Sequence, residues 1–150
     1  MLRTYTMFMG PLEIEKAWND NAVDGVKRFL DRAERVQEFI STDEKAETTI
    51  QLHKTIKGVS DDIEKLKFNT AVSKMMVFVN HIYEMKNITK GQLAIFLQLL
   101  APFATKLTQE MRTKIGQDGS IHLSQWPQHD DSLIAEDTLS LPVQIGGKMR

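Results

Sequence analysis

Residues Ser41 to Asn80 read STDEKAETTIQLHKTIKGVSDDIEKLKFNTAVSKMMVFVN, and this stretch decides the fold. Ile50, His53, Ile56, Val59, Ile63 and Leu66 recur at three- or four-residue spacing, which places one stripe along an α-helix. A second stripe, Val72, Met75, Met76, Val79, Ile82 and Tyr83, follows a break at Lys65-Leu66-Lys67-Phe68-Asn69. Ser41 with Glu44 has the spacing of a capping box, and Asn69 is a good N-cap for the second run. A short loop between two such helices leaves them antiparallel, stripe against stripe. The stretch therefore predicts a helical hairpin.

Upstream, Asn21 to Ile40 reads as another helix, with Val23, Val26, Phe29, Leu30, Ala33, Val36, Phe39 and Ile40 on its apolar face. Arg28, Arg32 and Arg35 fall on one side of it. Met1 to Asp20 has no sustained period; Gly10-Pro11 marks a turn, and Phe8, Met9 and Trp18 are expected to pack over one end of the bundle. Downstream, Thr89 and Gln92 make a second capping box ahead of Leu93, Phe96, Leu97, Leu99 and Leu100. Pro102 interrupts that helix, which resumes through Phe103, Leu107, Met111 and Ile115 and ends at Gly116. Ile121-His122-Leu123 reads as short and extended, and Trp126 as a packing anchor. The fold class expected is mainly α, an antiparallel helix bundle with a short extended C-terminal segment.

At 150 residues the chain can bury one real core, and it has no apolar run long enough for a membrane span. Cys is absent, which excludes disulfides and thiolate metal sites and fits a reducing, cytoplasmic compartment. The net charge of −1 argues against a strongly basic nucleic-acid binder, yet Lys45 to Lys90 holds eight Lys against five acids. From charge alone, an ordinary solvated helix surface is the better account of that surplus.

Particular residues also carry a resemblance. His53-Lys54-Thr55-Ile56, the acidic turn Asp61-Asp62-Ile63-Glu64 and Phe68-Asn69-Thr70-Ala71-Val72 through Asn80 are similar to the helix bundle that follows the catalytic domain in leucyl-tRNA synthetases. Gly25, Arg28-Phe29-Leu30, Arg32 and Arg35 match that family's Gly-x-x-Arg-Phe-Leu-x-Arg-x-x-Arg pattern, and Leu99-Leu100-Ala101-Pro102-Phe103-Ala104 its Leu-Leu-Ala-Pro-Phe-Ala signature. The family continues with Pro-His and later Glu-Glu-Leu-Trp, where this chain has Thr105-Lys106 and Gln109-Glu110-Met111-Arg112. Val143-Gln144 to Arg150 resembles the family's Val-Gln-x-Asn-Gly-Lys-x-Arg strand, with Gly146 in place of Asn.

The resemblance implies three parts: residues 1–20 as the tail of a catalytic domain and connector, 21–136 as an anticodon-binding-type bundle, and 137–150 as the first strand of a small C-terminal domain. It implies tRNA(Leu) and the remaining synthetase domains as partners, no membrane, and backbone or stem contacts rather than anticodon readout. The tRNA-binding candidates are Arg28, Arg32 and Arg35, with Lys65 and Lys67 at the hairpin tip, because guanidinium grips phosphate with two bonds. Local pairing with Asp31, Glu34 and Glu38 competes with that role for each Arg.

No catalytic or metal residues are expected. The His-x-Gly-His and Lys-Met-Ser-Lys-Ser motifs with which class I synthetases hold ATP do not occur, nor does a Gly-rich phosphate loop. ATP and Mg would thus serve the intact ligase, with no cofactor in this part. His53, His81, His122 and His129 lack metal spacing, and His53 is expected to be a hydrogen-bonded core residue. Asp61-Asp62 is expected to be solvated, since adjacent helical residues point apart. The same bundle from a valyl- or isoleucyl-tRNA synthetase, and a helical protein–protein module, remain as alternatives; the segment around Gln144 and Lys148 disfavours the first.

Overall fold

The computed structural model describes residues 1–135, together with the backbone of residues 144–145 and 148–149. Its order is α1 (Leu2–Phe8), α2 (Asp20–Arg35), a 3-10 turn (Val36–Phe39), α3 (Ala46–Glu64), α4 (Phe68–Met85), α5 (Lys90–Leu100), α6 (Thr105–Lys114), a second 3-10 turn (Ile121–Leu123), α7 (Asp131–Ala135), β1 (Gln144–Ile145) and β2 (Lys148–Met149). The class is mainly α, as the periodicity implied. Helices α3 and α4 form the hairpin, and α4 also packs on α1, α2 and the first 3-10 turn.

The stripe on α4 is as expected, with Val72, Met75, Val79 and Ile82 buried, and Ala71 and Phe78 joining them. On α3 it is rotated. Thr48, Leu52, Thr55, Ile56 and Val59 are buried, whereas Ile50 and His53 are half-buried and Leu66 is 58% exposed. Burial of Thr55 shows why apolar periodicity misplaces this face: a threonine methyl can enter a core while its hydroxyl returns to the helix, as Thr55 Oγ1 does to the Gln51 carbonyl at 2.8 Å.

Two caps expected from the sequence do not form. Helix α3 starts at Ala46 behind Lys45, not at Ser41, because the preceding chain is held extended by tertiary bonds. Ile40 and Ile88 form a parallel bridge, the Ser41 N–H donates to the Ile88 carbonyl at 2.9 Å, and Asn87 Nδ2 donates to the Asp43 carbonyl at 2.9 Å. Helix α4 starts at Phe68, so Asn69 lies inside its first turn. The turn is set instead by the end of α3, where Leu66 adopts φ 55°. There the Leu66 N–H reaches the Ile63 carbonyl at 3.0 Å and the Lys67 N–H the Asp62 carbonyl at 2.7 Å, a complete Schellman motif with leucine where glycine is usual.

Other local signals are observed as read. Thr89 and Gln92 form a reciprocal capping box, and α5 ends ahead of Pro102. Gly116, at φ 80°, closes α6, with its own N–H on the Thr113 carbonyl and that of Gln117 on Arg112. Residues without a period gave two surprises. Leu2–Phe8 is a helix, anchored by buried Tyr5 and by Thr4 Oγ1 donating to the Phe103 carbonyl at 2.7 Å. Ile121–Leu123 is a 3-10 turn rather than extended, because Ser120 Oγ caps it at the His122 N–H. Met7, Phe8, Met9 and Trp126 pack on the core, and Trp126 Nε1 donates to Ser60 Oγ at 2.9 Å. Trp18 stays 61% exposed but leans on Tyr5, with ring centroids 4.6 Å apart.

Strand β1 pairs antiparallel with β2, Gln144 opposite Met149 and Ile145 opposite Lys148. Of the strand that the resemblance implies within 137–150, residues 144–145 and 148–149 are described and pair with each other, while Val143, Gly146 and the 136/137 limit lie outside the described residues.

Two stability outcomes follow. Leu52→Ala should cost about 2–5 kcal/mol in urea unfolding, and Ile50→Ala clearly less, since only Leu52 is enclosed. Leu66→Gly should raise stability by about 0.5–1 kcal/mol, because a left-handed leucine exposed to solvent is strained and buries little. An Ile50→Ala loss as large as that of Leu52→Ala would overturn the assigned α3 face.

Candidate nucleic-acid interface

Helix α2 is long enough to present its arginines in line. Asn19 Oδ1 caps it by accepting from the Ala22 N–H, while Val26, Phe29, Leu30 and Ala33 bury the opposite face. The exposed side then carries Arg28 and Arg35, with Arg32 half-buried between them.

The three do not behave alike. Arg32 Nη1 donates to Asn80 Oδ1 on α4 at 2.7 Å, and its guanidinium lies 4.4 Å above the Tyr83 ring. The Tyr83 hydroxyl in turn donates to the Arg32 carbonyl at 3.1 Å. Stacking of this kind contributes about 0.5–1 kcal/mol at an accessible site and fixes the plane of the guanidinium. Arg28 lines the same α2–α4 groove with Gly25, Phe29, Met76 and Asn80, a space of about 350 Å³. Arg35 lies outside that lining.

Among the described residues, none of the three arginines forms an ion pair. Of the acids expected to compete, Glu34 is taken by Lys114 at 2.9 Å, a bond that raises the Lys114 pKa and ties α2 to α6. Asp31 and Glu38 bond to none of the three arginines. Local pairing therefore does not account for the row.

Lys65 and Lys67 are exposed at the hairpin tip and line a different groove, with Pro11, Glu13 and Asn69. From Lys67 to Met76, beside Arg28, the α4 axis rises roughly 13 Å. The structure does not bring the two sets together. It adds Asn80, Tyr83 and Lys86, none of which charge spacing had singled out. Asn80 and Tyr83 at i and i+3 on one helix face were the available sign.

The acidic pairs are resolved individually. Asp62 is buried and ion-paired with Lys74, so it is not the solvated residue expected, whereas Asp61 is exposed. The hairpin packing brings Lys74 of α4 over the last turns of α3, where the carboxylate finds it. Asp130 accepts from the N–H and hydroxyl of Ser132, which hold its carboxyl below the usual range, and its own N–H donates to His53 Nδ1 at 3.0 Å. His53 is thus hydrogen-bonded at the core's edge. No three His, Asp or Glu converge as metal ligands among the described residues, and no described helix is long and apolar enough to cross a membrane.

Burial pushes the pKa of His81 below its ordinary 6.5, against the raising pull of Glu84 and Glu47, and its Nε2 has no hydrogen-bond partner among the described residues. The unfolded chain therefore takes up a proton at a higher pH than the folded one, and stability falls as pH drops through 6.5. His81→Gln should flatten that fall between about pH 7 and pH 5 in denaturant titrations. An unchanged pH slope would remove His81 as its source.

Residues 46–150 match the family described as the anticodon-binding domain of tRNA ligase. The chain is 42% identical over 156 aligned residues to a leucine–tRNA ligase of Bdellovibrio bacteriovorus, covering 99% of this chain and 20% of that protein. Its fold is similar, with a TM-score of 0.81 at 24% identity, to the crystal structure of a ternary LeuRS–tRNA–LeuAMS complex from Agrobacterium radiobacter K84, over 99% of this chain and 22% of that one. The chain spans about a fifth of the length of the relatives it matches.

Proposed function

The chain belongs to the family of anticodon-binding domains of tRNA ligases, and from that premise we propose that it is the tRNA-binding helix bundle of a leucine–tRNA ligase. The whole protein would join leucine to tRNA(Leu) using ATP and Mg, in the cytoplasm. This bundle would hold the tRNA, while the ATP and leucine sites belong to other parts of the ligase. The leucine assignment is supported by the Bdellovibrio relative and by the tRNA complex among similar folds.

The observation that carries the reading is the arginine row of α2, on an accessible face and without a carboxylate partner among the described residues. Arginines so placed suit a phosphodiester backbone and give affinity that depends on salt more than on base sequence. Arg28 and Arg32 are the principal contacts in this reading; Arg35 is a third on the same helix, and Lys65 and Lys67 form a separate, weaker contact at the hairpin tip. The remaining domains of the ligase are the second partner. Leu2, Leu12, Ile14, Trp18 and Leu66 are each more than half exposed, on α1, the connector and the hairpin turn, which suits docking to another domain.

The test is a titration of the chain with tRNA(Leu) and an unrelated tRNA at low and moderate salt, beside the Arg28→Ala/Arg32→Ala double variant. Binding that weakens steeply with salt, and at least tenfold in the double variant, is the expected result. Equal binding by variant and wild type would move the interface away from α2, and no binding to either tRNA would remove the reading.

A further inference from the structure

Two cations, Arg32 and Lys86, lie against the Tyr83 ring beside the α2–α4 groove, and neither forms an ion pair among the described residues. Helix α2 runs parallel to α4, with Arg28 beside Met76, Arg32 beside Asn80 and Tyr83, and Phe39 beside Tyr83. At the C-terminus of α4, Lys86 adopts φ 51° and turns its side chain back over the aromatic pair, its Nζ 4.8 Å from the Phe39 ring centroid and 5.8 Å from that of Tyr83. The Tyr83 ring thus carries the Arg32 guanidinium and the Lys86 ammonium at once. Asp31, Glu38 and Glu84 are near in sequence, and none forms an ion pair with either.

Two like charges held on one ring repel each other, and an anion placed between them would relieve that repulsion. Arg32 is also oriented for such a ligand. Its Nη1 is spent on Asn80, while its Nε and Nη2 donors meet no acceptor among the described residues. That free edge carries two parallel donors, the geometry that grips a phosphate with two bonds. We propose that Arg32 and Lys86, held on Tyr83 and flanked by Arg28, form a cradle for successive phosphates of an RNA backbone, with Asn80 as the residue that positions Arg32. From Met76 to Lys86 the α4 axis rises roughly 15 Å, so the cradle accepts more than one phosphate. This rests on the tRNA-binding reading and extends it from α2 to α4, onto residues outside the arginine row.

The test uses tRNA(Leu) titrated across salt concentrations against the wild-type chain and five variants, each checked by thermal melting. Lys86→Asn removes the charge while keeping a residue that tolerates the left-handed backbone. It should weaken binding about 3–10-fold and lower the log–log salt slope by about one, and Lys86→Arg should restore both. Asn80→Ala should weaken binding about 2–5-fold alone and leave it unchanged in an Arg32→Ala background, because Asn80 acts through Arg32. Wild-type affinity and slope in Lys86→Asn, or an Asn80→Ala effect that persists without Arg32, would overturn the cradle while leaving the tRNA reading intact. Poly-glutamate competing as well as tripolyphosphate, at equal charge, would overturn its assignment to phosphate. No salt-sensitive binding by the wild type would overturn both.

Discussion

Helix α4 needs cover on several sides at once, and the rest of the bundle is the answer to that need. Val72, Met75, Phe78, Val79 and Ile82 have at most 1% of their surface left accessible, too wide an apolar arc for one partner helix to shield. At about 1.5–3 kcal/mol for each such side chain, leaving any part of that arc wet would rival the net stability of a domain. Helix α3 takes one flank, α1 and α2 take others, and Phe96 of α5 meets Phe78 at 5.1 Å between centroids. This demand explains why α1 is a helix although its sequence shows no period: Tyr5 and Thr4 are fixed by what they touch rather than by their neighbours in sequence.

The chain reversals at the two ends of α4 follow from the same packing. At its start, Leu66 takes a left-handed conformation so that Phe68 can enter helix and set its ring edge-on to Phe103 at 6.2 Å. At its end, Lys86 is left-handed, and the next residues lead into Ile88, whose pairing with Ile40 draws α2 alongside α4. Neither residue is glycine. Each accepts local backbone strain where the larger gain lies in closing the core.

The interface depends on that alignment. Parallel packing of α2 and α4 carries Arg32 over Tyr83 and beside Asn80, and a different crossing would have left it as one more solvated surface charge. Lys114 matters for the packing instead, because its bond to Glu34 ties α2 to α6. Asp24 and Asp31 remain exposed on the same helix beside Arg28, so what sets the arginines apart is their packing on α4 and not an absence of acids nearby.

The sequence by itself determined what depends on near neighbours along the chain: the hairpin, the α4 stripe, the Thr89–Gln92 capping box, the break at Pro102, the stop at Gly116 and the arginine row. Each is a local matter of periodicity, backbone stereochemistry or a hydrogen bond spanning a few residues. The false cap at Ser41, the rotated face of α3 and the burial of Asp62 were not legible, because each is decided by a partner far along the chain, while the cap at Asn69 was displaced by a left-handed leucine where glycine is usual. Ser41 is held by Ile88 and Asp62 by Lys74 across the hairpin. The meeting of Arg32, Asn80, Tyr83 and Lys86 is of this second kind. Their types were visible in the sequence, but only the helix packing sets them around one ring.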